Sequence, residues 1–352
     1  MEKALKIAVI VIFIMSLLIA DAQMSFDLFK APTLLEKRKL AIFPERISMR
    51  FPDEFDTYMN DNFGFRKHFI RLNNLIDVKI FKTPPPGVIL GNDDFLFMGC
   101  DWDSFIHRHS RYQDNELFEA ALRIRKFQDK LKSRGIEFLL VIAPNKGTIY
   151  PEYIPKMRFT LQARSERERW NENLGKAGVN YLDVAPTLLE AKKRRLLYYK
   201  GDHHWNWYGG LIVSRQITSF LAGALGRKTP EFMVTSSIPD NWEATGGGSI
   251  DELLGVRTIR SNEKPAVEIV GEKLPPGILM GDSFRDWLYL DMVSDSLATI
   301  SRQFSGTQLE AKQTKEAMVK ALNDKRIRYF AAIYWEANQT NLLLDEQWEF
   351  DI

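Results

Sequence analysis

From about Asn115 onward the chain alternates helical and strand-like segments, and that rhythm restricts it to a layered α/β architecture in which helices cover a central sheet. The periodicity predicts a helix to Arg134, an apolar strand over Phe138–Ala143, a helix near 161–177, a strand over 181–184 and a helix over 186–195. A further helix follows Trp205 to about Leu225, where Gly209 and Gly210 permit close backbone packing at some cost in helix propensity. The rhythm breaks over 226–271, where Pro239 and Gly246-Gly247-Gly248 mark an insertion suited to rim or cover a cleft. It resumes with a buried strand at Gly277–Met280, a helix from about Arg285, a strand near 298–302, a helix over 309–322 and a strand over Tyr329–Trp335. No internal repeat or low-complexity tract interrupts this order.

Upstream, Lys3 and Lys6 precede an uncharged run from Ile7 to Ala20, and Ala20-Asp21-Ala22 offers the small-x-small pattern of a signal peptidase site. The run is shorter than the ~20 apolar residues that span a bilayer comfortably, which favours a cleaved leader. Counted from Ala4 it suits a retained anchor, and both readings stay open. A polar linker then leads into a helix with Phe51, Phe55, Tyr58, Met59 and Phe63 on one face, ended near Asn62–Arg66. Pro84–Gly87 breaks the chain before two short strands within 88–97. The expected division is therefore a leader over 1–22, a helical and hairpin extension over 23–110, and a main domain over 111–352 that carries the insertion.

A chain of 352 residues, 45% of them hydrophobic, can bury a full core. The formal charge of +2 comes without a basic stripe interleaved with aromatics, so nucleic-acid partners are not expected. Cys100 is the single cysteine, forms no internal disulfide and reads as structural.

Two short segments carry the chemistry: Gly201-Asp202-His203-His204-Trp205 and Gly281-Asp282-Ser283-Phe284. Ser283 follows an apolar strand and precedes a predicted helix, which places it at the carboxyl end of the sheet, where open α/β folds bind ligands. The backbone N–H groups of Ser283 and Phe284 lie where they can stabilise an oxyanion. The competing structural reading is that Ser283 or Asp282 only caps a helix. Asp202 and His204 are two residues apart, so in an extended or turn-like stretch both side chains face one side. His204 can then take the Ser283 proton while Asp202 fixes the tautomer of the ring. His203 and Trp205 are expected to shape the pocket, and Asn145 and Lys146, after the strand that ends at Ala143, can reach it from the same sheet edge. Asp103, His107 and His109 with His203 and His204 form a competing metal set, which no helical His-Glu-x-x-His pattern supports. Lys192-Lys193-Arg194-Arg195 either complements a helix end in solvent or attracts an anionic polymer.

These residues resemble the DHHW or AlgX/AlgJ-type group, the SGNH-hydrolase-like alginate O-acetyltransferases. The similarity rests on Asp202-x-His204-Trp205 upstream of Gly281-Asp282-Ser283-Phe284, with Asp61–Arg66, the hairpin at 88–97, Pro144-Asn145-Lys146 and Tyr150-Pro151-Glu152 in the same order. The resemblance implies a three-layer α/β/α sheet with Asp-His before Ser, a permuted order relative to ordinary SGNH esterases. It implies Ser283 as nucleophile, His204 as general base and Asp202 as its partner. Ala337–Thr340 departs from the pattern, since similar proteins carry a Glu-Arg pair there, and no carbohydrate-binding module is expected after the core. The implied activity is exported, metal-independent and cofactor-free O-acetylation of an exopolysaccharide or cell-envelope glycan through an acetyl-serine. The implied partners are the polysaccharide acceptor and a membrane-bound O-acyltransferase that supplies acetyl groups, in the periplasm or at the inner membrane. Two alternatives use the same residues otherwise: a glycan acetylesterase, and a non-catalytic polysaccharide-binding component of an export complex.

Overall fold

The computed structural model describes residues 2–26, 28–30, 39–85, 87–99, 113–155, 164–241, 249–254, 262–301 and 308–336. Cys100, Asp103, His107, His109 and Ala337–Thr340 lie outside them. In chain order the N-terminal elements are helices α1 (Glu2–Phe26), α2 (Phe51–Asn62) and α3 (Arg66–Ile76), the last running into a π-helical turn at Asp77–Phe81. The hairpin strands β1 (Val88–Leu90) and β2 (Leu96–Met98) follow, then α4 (Asp114–Ser133), β3 (Glu137–Ala143), α5 (Lys146–Ile149), α6 (Glu166–Ala177), β4 (Tyr181–Asp183), α7 (Ala185–Ala191) and α8 (Trp207–Ala224). The remainder comprises β5 (Glu231–Asp240), α9 (Ser249–Leu254), β6 (Asn262–Val270), β7 (Gly277–Gly281), a 3₁₀ turn (Ser283–Trp287), α10 (Leu290–Val293), β8 (Leu297–Ser301), α11 (Gln308–Leu322) and β9 (Tyr329–Trp335).

These elements form two units, residues 1–88 with 245–259 and residues 89–244 with 260–352. In the first, α1 extends beyond the apolar run, and its 25 residues reach about 37 Å at 1.5 Å per residue. Its apolar stretch has a mean hydropathy of 2.5, so by length and composition it is able to cross a membrane. Its last turns nevertheless belong to the unit: Ala20 and Gln23 are buried, and the Gln23 amide both donates to Phe29 O and accepts from Phe29 N–H. Helix α3 is not apparent in the sequence because Asn62–Arg66 reads as a terminator, whereas the chain turns once there and restarts.

The second unit holds a five-stranded parallel sheet in the order β4-β3-β9-β7-β8. Central strands of such a sheet are covered on both faces and need apolar residues throughout, and every residue of β9 is buried. The two-residue strand period divides them cleanly. Leu139, Val141, Leu279, Ala331 and Ile333 enter one core with α7 and α8, while Phe138, Leu140, Ile278, Met280, Phe330 and Ala332 enter another with α4, α6 and α11. The result is the three-layer α/β/α architecture expected. On the first face, Gly209 and Gly210 let α8 approach closely, since a Cβ at Gly210 would lie 2.0 Å from Trp287 O.

Two segments differ from expectation. No long helix follows Ser283; one 3₁₀ turn and the four-residue α10 stand in its place. Phe284, Trp287, Leu288, Tyr289, Leu290 and Val293 are all buried, and a regular helix over this stretch would send part of that apolar set to solvent. The insertion contains an antiparallel ribbon of β5 and β6 with an irregularity between Val234 and Ser236. Pro239 and Pro265 disguise its strands in the sequence, yet a two-stranded ribbon has open edges that tolerate proline.

Candidate active site

Strands β3, β9 and β7 end side by side, and the residues just past them meet in the crevice at the sheet's carboxyl edge. Strand β7 leaves the sheet at Gly281, where a Cβ would stand 2.1 Å from Ile333 O, so glycine keeps β7 against β9 as the chain turns. Asp282 then fixes the turn: its Oδ1 accepts the Phe284 N–H at 3.1 Å and its Oδ2 accepts the Trp335 N–H at 2.7 Å. Asp282 is therefore the cap, and the exposed Ser283 hydroxyl is left for other work. The expected pair of oxyanion donors is corrected by the same contact, because the Phe284 N–H already serves Asp282. The Ser283 N–H has no hydrogen-bond acceptor among the described residues.

The second segment is a tight loop closed by a Tyr198–Trp205 bridge, by Tyr199 N–H on His204 O at 3.2 Å and by Asn206 N–H on Leu197 O at 2.8 Å. Asn206 also accepts the Tyr208 and Gly209 N–H groups and so starts α8. Inside the loop, Asp202 Oδ1 accepts the His204 backbone N–H at 2.9 Å and lies 2.6 Å from His204 Nδ1. The other ring nitrogen, Nε2, lies 2.7 Å from Ser283 Oγ. Burial alone would raise the Asp202 pKa, but the charge and hydrogen bonds of His204, with His203 adding to them, hold it well below the usual carboxylate range. An ionised Asp202 keeps Nδ1 protonated and leaves Nε2 to accept the serine proton. Asp202, His203 and His204 also lie close enough to consider as metal ligands, within 4.8 Å of one another. Both ring nitrogens of His204 are already engaged, by Asp202 and Ser283, which favours the proton-handling role.

The three residues expected to reach substrate, Lys146, Trp205 and Asn145, are all buried. Lys146 is fully buried: its Nζ donates to Leu96 O and Lys200 O at 2.7 Å each and to Asp202 O at 2.9 Å, beneath the rings of Phe95 and Phe97. It ties the β2 hairpin to the loop that carries Asp202. Trp205 is also fully buried, packed edge-on against Phe284 with its indole N–H on Phe284 O at 3.0 Å, so it braces the serine turn. Asn145 is buried as the residue before α5, and its backbone N–H donates to Glu336 Oε2 at 2.8 Å. The basic run is largely occupied too: Lys192 bonds Ile149 O and Glu152, Lys193 pairs with Glu190, and the Arg195 guanidinium lies 3.6 Å from the centre of the Tyr208 ring.

The cage around the imidazole has only a faint signal in the sequence. Trp287 stacks on His204 at 4.3 Å and 26°, and His203 lies against it at 3.8 Å. The Trp287 indole N–H donates to the Tyr199 hydroxyl at 3.3 Å, which donates to Asp240 Oδ2 at 2.5 Å. Burial and the Asp240 contact push the Tyr199 hydroxyl pKa up, so it remains a donor. Adjacent tyrosines before Asp202 were the visible hint, but their partner comes from the far end of β5.

Glu336 is a second buried carboxyl, accepting the Asn145 N–H and the Thr148 hydroxyl. Burial raises its pKa despite those donors. The unfolded chain ionises it near pH 4.3, so the folded state loses stability as pH climbs above that value towards the raised folded pKa. Glu336→Gln is therefore expected to stabilise the protein at pH 7, with the gain fading below about pH 4. Urea denaturation at both pH values checks this, and an equal effect at the two would contradict it.

The family model described as SGNH hydrolase-like domain, acetyltransferase AlgX matches residues 88–328. A probable alginate O-acetylase AlgJ of Pseudomonas syringae pv. tomato is 26% identical over 230 residues, which cover 65% of this chain and 55% of that protein. The alginate biosynthesis protein AlgX of Pseudomonas aeruginosa is 29% identical over 95 residues, covering 26% of this chain and 20% of that protein. The chain thus spans about half the length of the AlgJ relative and about a fifth of the AlgX relative. Among solved structures, the O-acetyltransferase domain of Pseudomonas putida AlgJ superposes with a TM-score of 0.55 at 18% identity, covering 74% of this chain and 93% of that domain, a likeness of fold.

Proposed function

Since this chain belongs to the SGNH hydrolase-like, acetyltransferase AlgX family, we propose that it transfers acetyl groups to hydroxyls of an exopolysaccharide through an acetyl-Ser283 intermediate. The observation that carries this reading is the unbroken line from Asp202 through His204 to Ser283, with contacts of 2.6 Å and 2.7 Å. Ser283 Oγ attacks the acetyl carbonyl of the donor as its proton passes to His204 Nε2. The leaving group departs with that proton, and the acetyl ester remains on Oγ. A sugar hydroxyl then gives its proton to Nε2 and attacks the ester carbonyl, and Oγ recovers the proton as it leaves. Asp202 stabilises the imidazolium formed in each half-reaction, and the Ser283 N–H faces the developing oxyanion.

In this reading the acceptor is a polysaccharide, a membrane-bound O-acyltransferase delivers the acetyl group, and α1 holds the protein at the membrane with the catalytic unit on the exported side. The buried Ala20 supports retention of α1, because cleavage after Ala22 would remove it and its contacts from the unit. The exposure of Ser283 favours one second reading, a glycan acetylesterase, since water also reaches an open acyl-serine. Incubating the protein with an acetyl ester and an oligosaccharide separates the two. Acetylated sugar supports transfer, and acetate without acetylated sugar supports hydrolysis.

A further inference from the structure

The sheet unit carries a cavity of about 620 Å³ that the reaction above does not use. It lies between Lys264 and Pro265 of β6, Trp207 at the start of α8, the segment after the serine turn, and Leu297 and Thr299 of the edge strand β8. Arg285 forms part of its wall, and two peptide units keep the Arg285 Cα within about 7.6 Å of the Ser283 Cα. We propose that this cavity is a sugar-binding subsite for the acceptor glycan, with a pyranose ring packed on Trp207 and Tyr289 and its hydroxyls held by Lys264, Asp286 and Asp291. The assignment of the bound glycan as acceptor rests on the reading of Ser283 as the acyl carrier.

A pyranose presents a face of C–H bonds and a rim of hydroxyls, so its site needs an aromatic wall beside both donors and acceptors. Trp207 and Tyr289 meet edge to face at 5.6 Å and 67°, which makes two walls of a corner. Lys264 Nζ stands 5.5 Å from the centre of the Trp207 ring and forms no ion pair among the described residues, leaving an ammonium for a sugar hydroxyl or carboxylate. Arg285 donates to Gly281 O at 2.8 Å and pairs with Asp286 at 3.2 Å, which fastens this wall to the end of β7 before any ligand arrives. The two cations, Lys264 and Arg285, are balanced by Asp286 and Asp291. That balance suits a hydroxyl-rich ligand and gives no concentrated positive field for a polyphosphate. A glycan seated here would compete with water for an acetyl group on Ser283 through proximity.

The test titrates hexasaccharides of alginate, cellulose and chitin into the full-length protein and its Trp207→Ala, Lys264→Ala and Asp291→Ala variants, with affinity read by calorimetry. At least one hexasaccharide is expected to bind, and Trp207→Ala to weaken it about tenfold, with Lys264→Ala and Asp291→Ala each weakening it measurably. Lys176→Ala on α6, outside the cavity, leaves binding unchanged. Should Trp207→Ala fail to fold, the Lys264 and Asp291 variants decide. Absence of binding by all three sugars, or equal affinity in every folded cavity variant, overturns the subsite. Hydrolysis of 4-nitrophenyl acetate by the wild-type protein tests the acyl-serine reading separately: activity without cavity-dependent binding removes the subsite alone, and cavity-dependent binding without activity removes only the acyl carrier.

Discussion

His204→Ala is expected to lower turnover of an acetyl ester by about 10⁴-fold or more, and Ser283→Ala to do the same. The two groups form one proton-transfer unit across a 2.7 Å contact, so the double variant should fall little further than either single one. Neither change should unfold the protein: Ser283 is exposed, and the truncated imidazole leaves its neighbours Trp287 and Phe284 anchored through Tyr199 and Trp205. Steady-state rates at saturating ester, with circular dichroism to verify folding, supply the measurement. A loss of less than about tenfold in both variants would be incompatible with nucleophilic catalysis at this serine and would return the non-catalytic binding reading to the front.

Lys146→Met is expected to cost about 3–5 kcal/mol of folding stability. The substitution keeps much of the side chain's length but withdraws a buried ammonium from the carbonyls of Leu96, Lys200 and Asp202. The carbonyls of Leu96 and Asp202 lose a charged donor in buried positions and that of Lys200 in a part-buried one, at about 1–3 kcal/mol apiece before relaxation. Because one of them belongs to Asp202, the loop holding the imidazole should loosen as well, and activity should drop even under conditions where the variant stays folded. Urea denaturation checks the first effect. If stability were unchanged and only the KM for a glycan rose, Lys146 would instead be meeting substrate.

The contrast between Lys146 and Asp202 shows where the sequence is informative. Strands β3, β7 and β9 were legible because burial on both faces demands uninterrupted apolar residues, a signal contained within each segment. The nearness of Asp202 to His204 was legible for a similar reason, since two residues of extended chain put both side chains on one side. Lys146 follows an apolar strand at the sheet's functional edge and so reads as a cleft residue. Only the hairpin folded over it, contributed from 50 residues upstream, turns it into an internal tie. Trp287 was hidden because the stretch after Ser283 looks helical until the buried side chains around it are counted, and Asp240 because its partner Tyr199 lies 41 residues away. The ribbon of β5 and β6 was obscured by the prolines that its open edges accommodate.

In the proposed reaction Ser283 carries the acetyl group, and His204 makes it able to do so. Brief incubation with 4-nitrophenyl acetate, acid quenching and peptide mass spectrometry test it directly. One acetyl group is expected on the peptide containing Ser283 in the wild-type protein, and none there in His204→Ala. An unmodified Ser283 peptide alongside continuing ester turnover, or equal acetylation with and without His204, would contradict it.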